Sequence, residues 1–402
     1  MSAISRSTAP YCFLAAIAAV AVVAATSTLK THKSKTGNAA GNVAERLARK
    51  NILSLQPYRC ARDDYEEGTL LDANENSLGP TQPRQMSNPL SLERYPSPYQ
   101  WELKTLYADL RGCKKEQIFV GVGSDEAIDM LFRIFCKPGS DNVITTPPTY
   151  GMYSVCANVN DVAIKKVPLT PSFDLRVEAM LKAVDKNTKM IFVCSPGNPT
   201  AKSVPSSDVE KLAGAFSGLV VVDEAYVDFA KNGSMTYLTS KYDNIVVLQT
   251  LSKAFGLAGI RCGFAIGHPS VIQLMNNVKA PYNLNSLTSE RAIKALQSID
   301  VLKSNMSKIL HERSRVGAAL EALPFVVRVC ESDSNFLLFQ LKSDARKVYQ
   351  TMADTFHVVA RFRGTEIHCE ECIRVTIGKR EENDIFLGAL EGAWESVVGS
   401  TI

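Results

Sequence analysis

Five short apolar runs recur through the middle of the chain: Ile118-Phe119-Val120, Val143-Ile144, Met190-Ile191-Phe192-Val193, Leu219-Val220-Val221-Val222 and Ile245-Val246-Val247-Leu248. Each ends in polar residues, and stretches with helical spacing separate them. A strand that is apolar at every position is buried on both faces. Such strands alternating with helices predict an α/β fold with a mostly parallel central sheet and helices on both faces. Ligands of these sheets sit beyond the carboxyl ends of the strands, so the residues that close each run are where chemistry is to be sought. After about residue 300 the pattern changes to a long polar helix, the strand Asn335-Phe336-Leu337-Leu338-Phe339 and a strand carrying Arg374, which predicts a smaller α+β domain.

Ahead of the first run, Val43 to Asn76 reads as a short helix, an arm at Leu55-Gln56-Pro57-Tyr58 and an extended segment from Leu70. Prolines and glycines make residues 79–98 mostly loop, and Trp101 to Leu110 is helical in pattern. A chain of 402 residues, 46% of them apolar, can bury two or three domains. Its net charge of +4 comes from residues 1–50, where seven basic residues face Glu45 alone, so the rest carries −2. That body lacks the basic surface a nucleic-acid binder needs. The ten cysteines are scattered, several within apolar runs (Cys136, Cys194), and read as reduced core residues. His368-Cys369-Glu370-Glu371-Cys372 contains half of a zinc-site pattern, but no second half follows and Cys372 opens a strand-like alternation, so the pair reads as structural.

Tyr11 to Ala25 is an almost unbroken apolar run preceded by Arg6 and followed by small residues, the order of a secretory signal. At about 15 residues it is shorter than the ~20 that span a bilayer. Thr26 to Ala44 then holds three lysines and no acidic residue, as transit segments do. Residues 1–44 are therefore expected to be a targeting leader, with a plastid route favoured over a secretory or cytoplasmic one. No stable membrane association is expected of the mature body.

Four strand ends carry chemistry. Val120-Gly121-Val122-Gly123-Ser124-Asp125-Glu126 leads through glycines into an amphipathic helix with Ile128, Leu131, Phe132 and Phe135 on one face. The free N–H groups at its start make a phosphate cup, although a dinucleotide site lacking its third glycine looks similar. Ser195-Pro196-Gly197-Asn198-Pro199-Thr200 fixes an amide between two prolines at the ligand edge. Asp223 closes an all-apolar run, so its carboxylate should have a cationic partner, which a protonated pyridine nitrogen could be. Thr250-Leu251-Ser252-Lys253, with Arg261 eight residues on, joins a lysine able to condense with a carbonyl to two hydroxyls and a guanidinium able to hold a phosphate.

In this order, with L-D-A-N-E-N, R-Y-P, P-P-T-Y-G-M-Y, C-S-P-x-N-P-T, V-D-E-A-Y, T-L-S-K-A-F-G-L-A-G-I-R-C-G-F and I-R-V-T-I-G, the chain resembles the histidinol-phosphate aminotransferases over residues 45–395. The resemblance implies a fold-type I, pyridoxal-phosphate-dependent homodimer in which residues 85–305 bind the cofactor. Residues 45–84 would form an arm and part of a small domain that residues 306–402 complete. It implies that Lys253 carries the cofactor, Asp223 pairs with the ring nitrogen, Asn198 and Tyr226 bind the ring hydroxyl and Tyr150 stacks on the ring. Gly123, Ser124, Asp125, Thr250, Ser252 and Arg261 would surround the phosphate, with Tyr95 arriving from the second subunit. Arg374 and Arg361 would hold the substrate phosphate, and Tyr58 and Asn74 would close over the substrate. Gly197 and Ala201 depart from the family, which often has asparagine and usually glycine there. The implied reaction exchanges an amino group between glutamate and imidazole-acetol phosphate. An aromatic amino-acid aminotransferase and a phosphothreonine decarboxylase-like lyase are the alternatives.

Overall fold

The computed structural model describes residues 41–57, 59, 71–83 and 86–398. Leader residues 1–40, Tyr58 and Leu70 lie outside them, whereas Val43 and Ala44 are buried core residues at the start of the helix Val43–Leu47, so the expected leader boundary at residue 44 falls inside the folded body. Seven strands, β1 (Ile118–Val122), β2 (Asn142–Thr145), β3 (Ala163–Lys166), β4 (Thr188–Cys194), β5 (Leu219–Asp223), β6 (Ile245–Thr250) and β7 (Cys262–Gly267), form one sheet in the order β1-β7-β6-β5-β4-β2-β3. The five apolar runs are β1, β2, β4, β5 and β6. Strands β2 to β6 pair in parallel, while β7 runs antiparallel to both β6 and β1.

Alternation along the central strands explains why they are apolar throughout. Ile191, Val193, Val220, Val222, Ile245 and Val247 enter a core on one side of the sheet, and Met190, Phe192, Leu219, Val221, Val246 and Leu248 a core on the other. Each such side chain contributes about 1.5–3 kcal/mol on burial. The helix Gly123–Phe135 covers one face through Ile128, Leu131, Phe132 and Phe135 and carries Asp125 and Glu126 in its first turn, where the helix dipole favours acidic groups.

A second sheet, of β8 (Val326–Val329), β9 (Phe336–Leu341), β10 (Arg361–Phe362) and β11 (Cys372–Thr376), has the order β10-β11-β9-β8 and is antiparallel throughout. Period-two alternation sorts its faces. Leu337, Phe339, Ile373 and Val375 pack with Val348, Met352, Phe386 and Leu390 of the helices Ala345–Asp354 and Arg380–Val398. Phe336, Leu338 and Cys372 point the opposite way, into clusters shared with the seven-stranded sheet and its loops. Arg374, two residues after Cys372, is thereby aimed at the strand ends of the larger sheet. Cys369 and Cys372 are buried core residues in a turn closed by a 2.9 Å bond from the Cys372 N–H to the Cys369 carbonyl. No described helix is long and apolar enough to cross a membrane.

Candidate active site

A cavity of about 740 Å³ opens where the carboxyl ends of β4, β5 and β6 meet β10 and β11. Its floor is Asp223, buried at the last position of β5. The Tyr153 hydroxyl donates to Asp223 Oδ2 at 2.7 Å and the Ala225 N–H to Oδ1 at 3.1 Å. Burial pushes this carboxyl above its usual range, and these two donors pull it back down. Within the chain, a neutral phenol and a backbone amide hold the carboxylate. Tyr153 is itself fully buried, stacked on Phe192 with centroids 4.7 Å apart, and burial raises its hydroxyl so that it remains a donor.

Beside the floor is an anion cup. Gly123 has φ +76°, and a Cβ there would lie 2.6 Å from Arg261 Nη2; a Cβ on Gly263 would lie 2.2 Å from the Ser124 nitrogen. Glycine at both positions lets β7 and Arg261 close over the start of the helix Gly123–Phe135, whose first N–H groups have no partner within the helix. Arg261 donates to Ser252 Oγ at 3.3 Å and to Asp125 Oδ2 at 3.2 Å, and Thr250 Oγ1 to Ser252 Oγ at 2.9 Å. Tyr150 donates to Asp125 Oδ1 at 3.1 Å. The Asp125 carboxylate is thus occupied by Arg261 and Tyr150, leaving its backbone N–H for an anion.

Lys253 follows β6 and places its amine 5.4 Å from the Tyr226 ring centre. Although the residue is exposed, the amine is desolvated, and this together with Arg374 lowers its pKa despite the opposing Asp125 and Asp223. Asn198 Nδ2 donates to the Tyr226 hydroxyl at 3.5 Å, and Asn198 Oδ1 accepts from Arg374 Nη1. The far end of the cavity is therefore tied to the middle through Asn198.

Arg361 and Arg374 are direct cross-strand partners in the β10–β11 register, and Arg374 also lies 5.2 Å above the Phe336 ring. Arg363, two residues beyond Arg361, lines the same cavity. The sequence reading found neither Tyr153 nor Arg363. Tyr153 stands in the first turn of the helix Met152–Val159 and Arg363 just past the end of β10, and neither position carries a periodic signal.

Tyr95 and Asn74 lie elsewhere, in a separate cavity of about 360 Å³ with Glu75 and Asn285. Tyr95 is half exposed and stacks on Tyr282 at 4.5 Å. Ala201 has φ +61° and is fully buried, so the departure from glycine puts an L side chain in the left-handed region. At Gly197 a Cβ would lie 2.2 Å from Thr200 Oγ1, so asparagine there would require Thr200 to turn.

A family model, aminotransferase class I and II, matches residues 67–390. Histidinol-phosphate aminotransferases of Candida maltosa and Saccharomyces cerevisiae are 44% and 45% identical over 381 and 366 residues, spanning 87% and 84% of this chain and 98% and 94% of theirs. The chain belongs to the histidinol-phosphate aminotransferases. Among solved structures, the histidinol-phosphate aminotransferase of Sinorhizobium meliloti in complex with pyridoxal-5'-phosphate superposes with a TM-score of 0.72 at 24% identity, covering 81% of this chain and 90% of that one. That of Clostridium acetobutylicum gives 0.69 at 22%, covering 75% and 90%. Both share the fold. Histidinol-phosphate aminotransferases are pyridoxal-phosphate enzymes, and the donor set here fits that group: a buried carboxylate for a ring nitrogen, a lysine of lowered pKa, and N–H, hydroxyl and guanidinium donors for a phosphate.

Proposed function

We propose that the chain interconverts L-histidinol phosphate and imidazole-acetol phosphate, with 2-oxoglutarate and glutamate as amino acceptor and donor, in histidine biosynthesis. The observation that carries this reading is one cavity with two unlike ends, an anion cup and buried carboxylate beside Lys253 at one and an arginine group at the other. Pyridoxal phosphate, when bound, supplies an aldehyde that takes up the amino group and a ring that accepts electrons from the breaking C–H bond. Asp223 would hold the ring nitrogen, Asn198 and Tyr226 the ring hydroxyl and Tyr150 a ring face. The Ser124 and Asp125 N–H groups, Thr250, Ser252 and Arg261 would hold its phosphate.

Within that frame the chain's own groups divide the work. Lys253, its charged form disfavoured by burial and by Arg374, takes the proton from the substrate carbon that bears the amino group. Asp223, held by Tyr153 and Ala225, keeps negative charge at the cavity floor. Arg374 binds the phosphate of one substrate and the carboxylate of the other, which a planar guanidinium fork suits, and Arg361 adds to the phosphate. Tyr95, exposed and not among the residues lining its own chain's Lys253 cavity, serves the site of a second copy in a homodimer. The segment ahead of the helix Val43–Leu47 serves as a leader directing the chain to a plastid.

The deciding experiment is the half-reaction of the pyridoxamine-phosphate form with imidazole-acetol phosphate, followed by absorbance; no spectral change with that substrate would sink the reading. Carbon dioxide release from a phosphorylated amino acid would favour a lyase. Turnover of phenylalanine far above histidinol phosphate would favour an aromatic aminotransferase. Mixing Tyr95→Ala with Lys253→Ala chains should restore part of the activity each lacks if the site is shared between copies.

A further inference from the structure

The guanidiniums at the far end of the cavity outnumber the carboxylates beside them. Arg361 and Arg374 face each other directly across β10 and β11, where like charges repel, and Arg363 joins them in lining the same space. Glu366 is the acidic side chain bound into this group, through a 3.0 Å ion pair with Arg363 Nη2. Among the described residues no carboxylate pairs with Arg361 or Arg374, and the Arg374 bond goes to the neutral amide of Asn198. Arg363 is fixed in place by its own N–H, which donates to the Cys372 carbonyl at 2.8 Å. Its Nε is nevertheless buried without a hydrogen-bond partner, and a buried donor of that kind calls for an acceptor. With Glu366 ionised, three guanidiniums and one carboxylate leave a charge of +2. That matches a phosphate monoester dianion and exceeds a single carboxylate by one.

We propose that Arg363 is a specificity residue of the substrate end: it joins Arg361 and Arg374 on the phosphate of the phosphorylated substrate, and Glu366 is its resident counterion when an unphosphorylated dicarboxylate occupies the cavity. The inference rests on the reaction proposed above. A dianion bearing three acceptor oxygens can engage three guanidiniums, whereas each carboxylate of glutamate is satisfied by one fork. The phosphorylated substrate therefore gains from Arg363 what the dicarboxylate does not. Glu366 keeps the cluster from collapsing by repulsion during the half of the cycle in which the weaker anion is bound.

The test is steady-state kinetics of Arg363→Gln with both substrates, alongside competitive inhibition by inorganic phosphate. The KM for histidinol phosphate should rise about tenfold or more relative to that for glutamate, the loss expected for one charge-assisted bond. The inhibition constant of phosphate should rise in parallel. Arg363→Lys, which keeps the charge but not the fork, should fall between wild type and Arg363→Gln. Glu366→Gln should tighten inorganic phosphate by a few-fold, because the cluster gains net positive charge. An equal rise in both KM values, or an unchanged phosphate inhibition constant, would overturn the proposal. If wild-type protein does not turn over histidinol phosphate, the reaction reading fails instead, and phosphate binding to the two Arg363 variants still decides the role of Arg363.

Discussion

The two ends of the cavity are built on different rules. At the cofactor end Asp223 and Arg261 already have hydrogen-bond partners within the chain: Asp223 with Tyr153 and Ala225, Arg261 with Ser252 and Asp125. At the substrate end, two arginines are opposed across a strand pair and a third has a donor to spare. The difference suits what each end is proposed to hold. A group that stays bound is best served by a preorganised, locally satisfied shell. An end that exchanges a phosphate for a carboxylate benefits from surplus donors whose charge is only partly matched.

The largest effect should come from removing the lysine at the boundary between the ends. Lys253→Ala is expected to lower kcat by about four orders of magnitude or more, the upper range for a positioned acid–base group, checked by single-turnover absorbance. Next, Asp223→Asn should cost about 10²–10³ in kcat, as removal of one preorganised electrostatic group does, with substrate KM values nearly unchanged. Arg374→Gln should invert that pattern, raising KM for both substrates by about 10- to 100-fold through loss of a charge-assisted bond. If Arg374→Gln instead affected kcat alone, the division of labour between the ends would be wrong.

A smaller effect tests Tyr153. Tyr153→Phe removes a donor that pulls the Asp223 carboxyl down, so a pKa already raised by burial should climb further. A carboxyl whose folded pKa exceeds its unfolded value binds more protons when folded, so stability falls as pH rises from about 3.9 through the raised folded value. Denaturant titrations of cofactor-free protein should show that decline extending to higher pH in Tyr153→Phe. An unchanged pH profile would reduce Tyr153 to a packing residue. The smallest effect should be at Ala201→Gly. Relief of left-handed strain, about 1–2 kcal/mol, is offset by one lost buried methyl, about 0.8 kcal/mol, and by the added entropy of the unfolded chain, about 0.4–1 kcal/mol. A stability change within about 1 kcal/mol is expected, which accounts for how this departure is tolerated.

The same contrast governs what could be read from the residues. Strands β1, β2, β4, β5 and β6 were visible because burial on both faces makes them apolar runs, and the residues closing them pointed to Asp223, Asn198 and Lys253. Strand β3, Ala163-Ile164-Lys165-Lys166, lies at the sheet edge, where its lysines hide it. Strand β7 contains Gly263 and Gly267 and was read as the tail of the lysine motif. Tyr153 has the look of any core aromatic, since nothing in a sequence announces that a buried phenol meets a carboxylate seventy residues away. Arg363 was hidden because β10 is two residues long, too short for a period to declare itself.

The direction of β7 decides more than the count of antiparallel pairs. By returning beside β6, it makes the chain leave the sheet at Thr250 and re-enter it at Cys262 on the same edge. A parallel strand would have required a crossover of about a dozen residues or more, and Arg261 would have emerged at the opposite edge. Lys253 and Arg261 therefore ride on a single clasp fastened at both ends, so the spacing between the amine and the guanidinium is set within the large sheet and does not depend on where the small sheet sits.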